Sequence, residues 1–589
     1  MPELAVTDAP EESKSRELAQ RFAYWFEQTQ TRDAEWSKRS RESFHFYMND
    51  TWKPEELQKL AKDQRPALKL NMIRPHINLV VGMALAQDTQ LSVLATDPQN
   101  DDVSEVLAKL IRYVEFRSNY PSIKGLAFRD GVISGRGWRE GFVDFSQNPY
   151  GELKYRHVPN SHIKFDTYCQ SPDLSDCQYV FRAKWFEPKT FRKLFPKADS
   201  LSKVRAGASG MFPTWEEEEI VSRGTDYGNR RMVVEVWWRE FKDRYFLIAV
   251  DTNKWDMFES RAAAEAARGQ NQLAVIIKRT VPIQEYCMTT NDRILTEPAD
   301  SPYGHRVYPY FPFFPDLTYG VTDGLVEDLK DVQLLNNKTA SQTMHIINQT
   351  ANRSWWFQRG SVDDMDVALS QINRAGGGYQ YDGVAPLEVK PVGVPQELLM
   401  VWQRAEQLAQ LISGLPPALA GQAAGSREPA KAAQLRASQG ANVLGNTMHN
   451  WFQSEKLRGL WTIDAAQRVL VAPQVIRIVG GSDNPMVGAE NIAINQPVVD
   501  EMSGVVKVLN DLSVGMFDIR LDNVEGRLTL REEQLQRLIE LRSAGAPVPV
   551  DTIVEMMDGI PSDVKKRMIA GIQQMQAVQM QNPGAQVNA

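Results

Sequence analysis

From Val321 to Arg353 the chain runs about 30 residues without a proline, and its apolar and small polar residues recur every three to four positions. Leu325, Leu329, Val332, Asn336, Thr339, Thr343 and Ile346 step by 4, 3, 4, 3, 4 and 3, the period of an α-helix with a seam close to a heptad. Thr322 is placed to cap this helix, and Asp323, Glu327 and Asp328 follow in its first turns, where carboxylates suit the positive end of the helix dipole. With a rise of about 1.5 Å per residue the helix would be roughly 45 Å long, more than a compact domain usually needs. The seam turns polar halfway along, which predicts packing against copies of itself or a wet lining. Such a run describes a strut, not the centre of an enzyme.

The chain has 589 residues, 42% hydrophobic and 24% charged, the composition of a folded protein of several domains. Its net charge of −7 argues against gripping nucleic acid by neutralising phosphates, which needs a basic face, but not against letting nucleic acid slide past. Three cysteines, Cys169, Cys177 and Cys287, are too few for a disulfide framework and predict a reducing compartment. The start, Met1-Pro2-Glu3-Leu4-Ala5-Val6-Thr7-Asp8, lacks the basic and apolar regions of a signal peptide. The longest apolar stretch, Ile77 to Ala86, is far shorter than the roughly 18 residues of a membrane span. These features predict a protein that is cytosolic when made.

Residues 11–62 are expected to be helical and are rich in rings, among them Phe22, Trp25, Phe26, Trp36 and Trp52. Glu27, Asp33, Glu35 and Glu42 offset the basic residues between those rings, so packing is expected there rather than nucleic-acid contact. A second helix is predicted over 102–118, followed by strands. Gly141 to Phe145 and Glu152 to Val158 alternate around Asn148-Pro149-Tyr150-Gly151, a hairpin signature; further strands fit 162–166, 178–186, 232–240, 244–251, 273–280 and 283–290. Tyr308 to Pro315 is expected to be a rigid aromatic linker into the long helix. Beyond that helix, residues 355–369 and 376–395 predict a small strand–helix–strand unit, and 396–412 another helix stopped by Gly414-Leu415-Pro416-Pro417. A helix resumes at Pro429, in which Ala433, Ala437, Ala441 and Gly445 recur every four residues; this stripe suits close packing of identical helices or packing within one domain. Residues 466–526 are expected to be strands and loops. Thr529 with Glu532 predicts a capped helix, and 551–577 another.

Catalytic signatures are missing: there is no Gly-x-x-x-x-Gly-Lys-[Ser/Thr], no Gly-x-Ser-x-Gly and no His-Glu-x-x-His. His157, His162, Cys169 and Cys177 are spaced unlike a usual zinc site, and Asp166, Asp173 and Asp176 suit a loop as well as a cation. The alternative they leave is a metal-dependent nuclease or hydrolase using region 144–177, dependent on Asp166 or His162.

Three passages point elsewhere. They are Gln64-Arg65-Pro66-Ala67-Leu68-Lys69-Leu70-Asn71-Met72-Ile73-Arg74-Pro75; Pro312 to Pro315 with Tyr319-Gly320-Val321, leading into Asp328 to Asn337; and Leu411 to Gln422. Their order resembles the portal (head-to-tail connector) proteins of tailed bacteriophages, particularly the large portals of short-tailed phages. The resemblance implies an α+β portal fold, assembled as a ring of usually twelve subunits at one capsid vertex, without catalysis or cofactor. The wing would be 1–320 and 461–528, the stem helices 321–353 and 395–412, and the clip 354–394. A tunnel loop at 413–428, a long helix at 429–460 and a helical crown with a frayed tail at 529–589 would complete it. It also implies partners: the terminase large subunit, a tail adaptor or head-completion protein, major capsid and scaffolding proteins, and double-stranded DNA in the channel, with no membrane. Assembly would take place in the host bacterial cytoplasm and the protein would end in the virion.

On that reading Asp323, Glu327 and Asp331 share one helix face and supply a negative channel wall. Gln422, Ser426, Arg427 and Lys431 would form a sparsely charged collar, with Arg427 contacting DNA or pairing with Glu428 between subunits. Ala433, Ala437, Ala441 and Gly445 would pack helices of neighbouring subunits.

Overall fold

Helix α1 (Glu12–Tyr47) is charged along most of its length and is held by one stripe, Phe22, Phe26, Thr29, Asp33, Ser40 and Ser43, all buried at helical spacing. Its rings pack on the main sheet, Trp25 stacked on Tyr179 at 4.8 Å between centroids and Phe22 against Trp238 at 5.4 Å. The computed structural model describes residues 12–86, 89–96, 101–196, 211–212, 230–249, 254–269, 274–290, 293–351, 354–372, 374, 378, 380–389, 393–414, 444–478, 490–499, 506–510, 512, 517–523, 538–539 and 542–543. The helices expected near 529–543 and 551–577 lie largely or wholly outside the described residues.

Helices α2 (Pro54–Lys62) and α3 (Ile73–Ala86) follow, the latter capped by Asn71 Oδ1, which accepts from the Arg74 amide at 2.9 Å. Strand β1 (Thr89–Ala95) leads to α4 (Asp101–Arg117), where a helix was expected, and to α5 (Tyr120–Ser134), where it was not. Helix α5 buries Ala127, Phe128, Asp130, Gly131, Val132, Ile133 and Ser134 in succession, so its inner half has no polar face from which a period could be read.

Strands β2 (Gly137–Asp144) and β3 (Glu152–Val158) form the expected hairpin, with Trp138 opposite Val158. The largest sheet contains β4 (Ile163–Phe165), β5 (Tyr179–Phe186), β6 (Arg231–Ala249), β7 (Lys254–Phe258), β8 (Ala274–Thr289) and β9 (Ala299–Asp300), with α6 (Pro188–Leu194) and α7 (Arg261–Arg268) between strands. The four strands expected between 232 and 290 are two long ones. Strands β6 and β8 pair without a break from Val234 opposite Thr289 to Ala249 opposite Ala274. The charges at Lys242-Asp243-Arg244 resemble a turn but are matched across the sheet, Asp243 accepting from Thr280 at 2.7 Å and from Lys278 at 2.6 Å. Pro282 fits because it lies on a stretch of β8 that β9 does not cover.

The expected aromatic linker is instead β10 (Tyr310–Phe313), an edge strand on β2 with Pro312 opposite Trp138, and its rings are in the core. An edge tolerates proline because one side needs no amide partner. Strands β11 (Asp316–Thr318) and β12 (Val321–Asp323) then form a hairpin through Tyr319 (φ 53°) and Gly320 (φ 80°), two left-handed residues that suit a two-residue turn. That hairpin takes Thr322 and Asp323 out of the long helix, so α8 is Leu325–Ala351 and not the expected run from Val321.

The small unit is as expected, β13 (Ser354–Trp356), α9 (Met365–Ile372) and β14 (Leu387–Val389), with the strands antiparallel, and α10 (Gln396–Ser413) returns from it. Helix α11 (Gly445–Val469) ends nine residues beyond the expected 460. Its later residues, Leu460, Trp461, Thr462, Ile463, Ala465 and Ala466, are buried nearly all round, and such a run reads like a core strand. Strands β15 (Gln474–Ile478), β16 (Glu490–Ile494), β17 (Gln496–Val499), β18 (Val506–Leu509) and β19 (Phe517–Asn523) make short pairs, β19 with β1. Trp461 lies flat over Gly141 of β2, where any Cβ would enter its ring.

Helix α11 is fastened through ions. Glu455 accepts from Arg139 and Tyr120 and, at 3.0 and 2.8 Å, from Arg458; the side chains of Glu455, Arg139 and Arg458 are 3%, 0% and 1% exposed. Burial alone would raise the Glu455 pKa, but the guanidinium groups of Arg458 and Arg139 override it and hold the carboxyl down at about 2. Its folded value lies below the usual 4.3 or so, so its contribution is complete above about pH 4.5 and is lost as pH falls towards 2. Glu455→Gln should lower the unfolding free energy by about 3–5 kcal/mol near neutral pH, because two guanidinium groups are left buried with their main counter-charge gone. Urea unfolding monitored by tryptophan fluorescence checks this, and the gap from the parent should narrow in acid.

Candidate functional site

The feature that stands out is an arm made of the far half of α8, the β13–α9–β14 unit and α10. Its root is fixed with care. Arg136 forms a two-pronged pair with Asp33 at 3.0 and 2.9 Å, donates to Thr322 Oγ1 at 2.8 Å and lies 3.8 Å from the Trp36 ring centre. Arg39 pairs with Asp323, and Lys330 with Glu327 at 2.6 Å, while Ser43 donates to Glu327 at 3.3 Å.

Next along α8 comes the polar seam, whose Asn336, Thr339 and Thr343 are buried rather than facing water, and beside it a second polar row. Gln333 Oε1, Asn337 Oδ1 and Ser341 Oγ accept from the amides of Met72 at 2.8 Å, Leu70 at 3.0 Å and Leu68 at 2.9 Å. The helix supplies a side chain every four residues, a rise of about 6.0 Å. The segment supplies an amide every two, about 6.6 Å if extended. The two repeats match closely enough for three successive bonds. Gln333 also donates to the Leu70 carbonyl, Asn337 donates to Thr51 Oγ1 at 2.7 Å, and Asn336 accepts from Trp402 Nε1 of α10 at 2.8 Å. Gln333, Asn337 and Ser341 lie one or two positions along from the seam read in the sequence, which did not single them out; their partner is the chain's own segment 68–72.

Helix α10 lies on α8 through small residues, Ala405, Ala409 and Ser413, all buried, in a core that includes Leu329 and Val332. Its other side is uncovered, with Met400 and Leu411 at the ends of an exposed stripe that also carries Arg404 and Gln407. Met400 is 68% and Leu411 76% exposed, and 11 residues apart, three helical turns, they share a face. At the tip, Trp356 and Leu387 sit directly opposite each other across the two-stranded sheet, each 69% exposed. Val384, Val367 and Ile347 are exposed as well. Apolar exposure strung along one projecting module marks an interaction surface.

The acidic face survives only in part. Asp323 is on β12 and paired with Arg39, and Glu327 is paired with Lys330, so the expected helical triad is reduced to Asp331 as the exposed member. Asp328 completes a cluster at the root of α8: burial raises its pKa, as do the carboxylates of Asp323, Glu327 and Asp316. Gln422, Ser426, Arg427, Lys431, Ala433, Ala437 and Ala441 lie outside the described residues. Gly445 opens α11 with open space where a side chain would stand.

Region 144–177 is occupied with holding itself together. His157 Nε2 bonds Asp130 Oδ2 at 2.7 Å, and His162 rests on Trp185 at 4.5 Å between ring centres, its pKa lowered to about 3 mainly by burial. Asp166, Asp173 and Asp176 accept from backbone amides of their own loop. Among the described residues no group of three or more His, Cys, Asp or Glu side chains is placed to hold a metal. Nothing here supports the hydrolase alternative. Nor is any helix among those residues long and apolar enough to cross a membrane.

Asn337→Leu should cost about 2–3 kcal/mol, since it removes one rung and strips partners from the Leu70 amide and Thr51 hydroxyl. Limited trypsin digestion checks it: cleavage after Lys69 should accelerate, whereas Arg65 and Arg74 are each followed by proline.

Compared with curated proteins, the chain matches none. The pattern that defines the phage P22-like portal protein matches residues 24–589, from the aromatic stripe of α1 through the arm to the end of the chain. With a match of that extent the chain belongs to the phage P22-like portal protein family and is a phage head–tail connector.

Proposed function

We propose that the chain closes into a ring, usually of twelve subunits, at one capsid vertex, and that double-stranded DNA passes through the ring during packaging and ejection. The observation that carries this reading is the arm. It is firmly rooted in its own subunit and leaves Met400 and Leu411 uncovered along its length. Neighbouring copies related by rotation would bury those faces in turn and leave none over when the ring closes. On this reading α8 and α10 are the stem, β13–α9–β14 is the clip, and the strand-rich remainder, α11 included, is the wing.

The tip pair Trp356 and Leu387 suits a docking platform, first for the terminase large subunit and then for the tail adaptor. The tunnel loop would be 413–428 and the crown 529–589. Capsid and scaffolding proteins would meet the wing. A net charge of −7, with Asp331 facing outward from α8, fits a conduit that leaves phosphates free to slide. No catalytic step is required of this subunit.

Class averages of the purified protein by electron microscopy test the proposal. Rings with a central channel wide enough for duplex DNA are expected, and persistent monomers, with purified scaffolding protein as without it, would overturn it. The double substitution Met400→Asp and Leu411→Asp should leave folded monomers that no longer close; intact rings would remove the α10 face from the subunit contact. Deleting 415–426 should spare assembly and impair packaging or retention of DNA. Normal packaging and retention would remove that segment from the channel.

A further inference from the structure

Where the arm leaves the rest of the subunit, two backbones meet with no side chain between them. Gly135 ends α5 in the left-handed region (φ 84°), its amide bonded to the Gly131 carbonyl at 2.7 Å. Gly324 lies between β12 and α8, its carbonyl accepting from the Glu327 amide at 3.0 Å. Both glycines are buried. A Cβ on Gly324 would stand 2.7 Å from the carbonyl carbon and oxygen of Ile133 and 2.8 Å from the Gly135 nitrogen; one on Gly135 would stand 2.8 Å from the Asp323 nitrogen. The obstacles on both sides are main chain, which cannot swing aside as the end of a flexible side chain can. Two side chains tie the same spot: Arg136 donates to Thr322 Oγ1 at 2.8 Å, and Trp36 Nε1 to the Ser134 carbonyl at 2.9 Å.

We propose that Gly135 and Gly324 form a bare-backbone joint that sets the direction of the arm, and through it the number of copies that close a ring. Helix α8 has two supports on its own subunit. One is this joint at its start; the other is the set of side-chain bonds to segment 68–72, which begins at Gln333, about 14 Å further along the axis. Parting the joint by about 0.7 Å, from 2.7 Å to the 3.4 Å of ordinary contact, tilts α8 by roughly 3° about the second support. A ring of twelve turns about 30° per subunit, and rings of eleven or thirteen differ from that by about 2–3°. One methyl group in the joint therefore has the leverage to change which ring closes. The step from direction to number rests on the ring proposed for this chain; the joint itself does not.

The test counts subunits by native mass spectrometry in the full-length protein and in Gly324→Ala. The variant should move the distribution of ring sizes by at least one subunit; a distribution identical to the parent's would overturn the proposal. Thr322→Val removes the tie to Arg136 without crowding the joint, and should broaden the distribution. It decides the matter if Gly324→Ala does not fold, and an unchanged distribution there would overturn the proposal too. Gly82→Ala adds a methyl with nothing within 4 Å and should keep the parent's ring sizes; a shift there as well would take the effect away from the joint. If the parent forms no rings, the ring reading fails and the joint is measured in monomers. Spin labels at Ala34→Cys on α1 and Leu387→Cys at the tip, both exposed positions, report the direction of the arm by double electron–electron resonance, the native cysteines being buried. A mean distance shifted by about 1–2 Å in Gly324→Ala is expected, and an unchanged one would overturn the joint.

Discussion

The arm stands on three side chains of α8 that bind a neighbouring backbone. Gln333, Asn337 and Ser341 substitute for a β-partner to the segment 68–72, supplying acceptors to three part-buried amides. A helix and an extended chain rarely keep step, but four helical residues and two extended ones advance by nearly the same distance. Each bond adds modestly to stability; each one lost leaves a stranded polar group. The direction of α8, and with it everything the arm carries, depends on that ladder and on the Arg136–Asp33 pair below it.

A second constraint lies where α11 crosses the core. Glu455 with Arg139 and Arg458, and Glu140 with Arg156, Arg182 and Lys184, are ion clusters with their carboxylates buried. The Glu140 carboxyl is held well below its usual range: burial opposes this, but Lys184, Arg156 and Arg182 prevail. Such clusters are weak sources of net stability, because desolvation offsets much of the attraction. They are selective, however: a helix displaced by one turn would leave charges buried without partners.

Much of this could be read in advance. The β2–β3 hairpin, the strand–helix–strand tip and the returning α10 follow from local turn chemistry and amphipathic periods, which need no knowledge of the rest of the fold. The misreadings share a cause. Helix α5 and the end of α11 are buried nearly all round, so their periods vanish; β10 carries a proline allowed only by its edge position; and β6 runs through charges that are matched on β8. Asp323 left the helix because the Tyr319-Gly320 turn pairs its strand instead.

The sequence by itself determined that a long helix with a half-polar seam would exist, that the chain carries no P-loop, Gly-x-Ser-x-Gly or His-Glu-x-x-His signature, and that its elements come in the order of a portal. Periodicity, composition and spacing are local properties and survive without a fold. Only the tertiary structure decided what the seam's Asn336 meets, because an amide side chain gives no sign of whether its partner is water, a second copy or a backbone 266 residues away. It also decided which apolar residues remain uncovered. Met400 and Ala405 lie on one helix; α8 buries the second and leaves the first to the solvent.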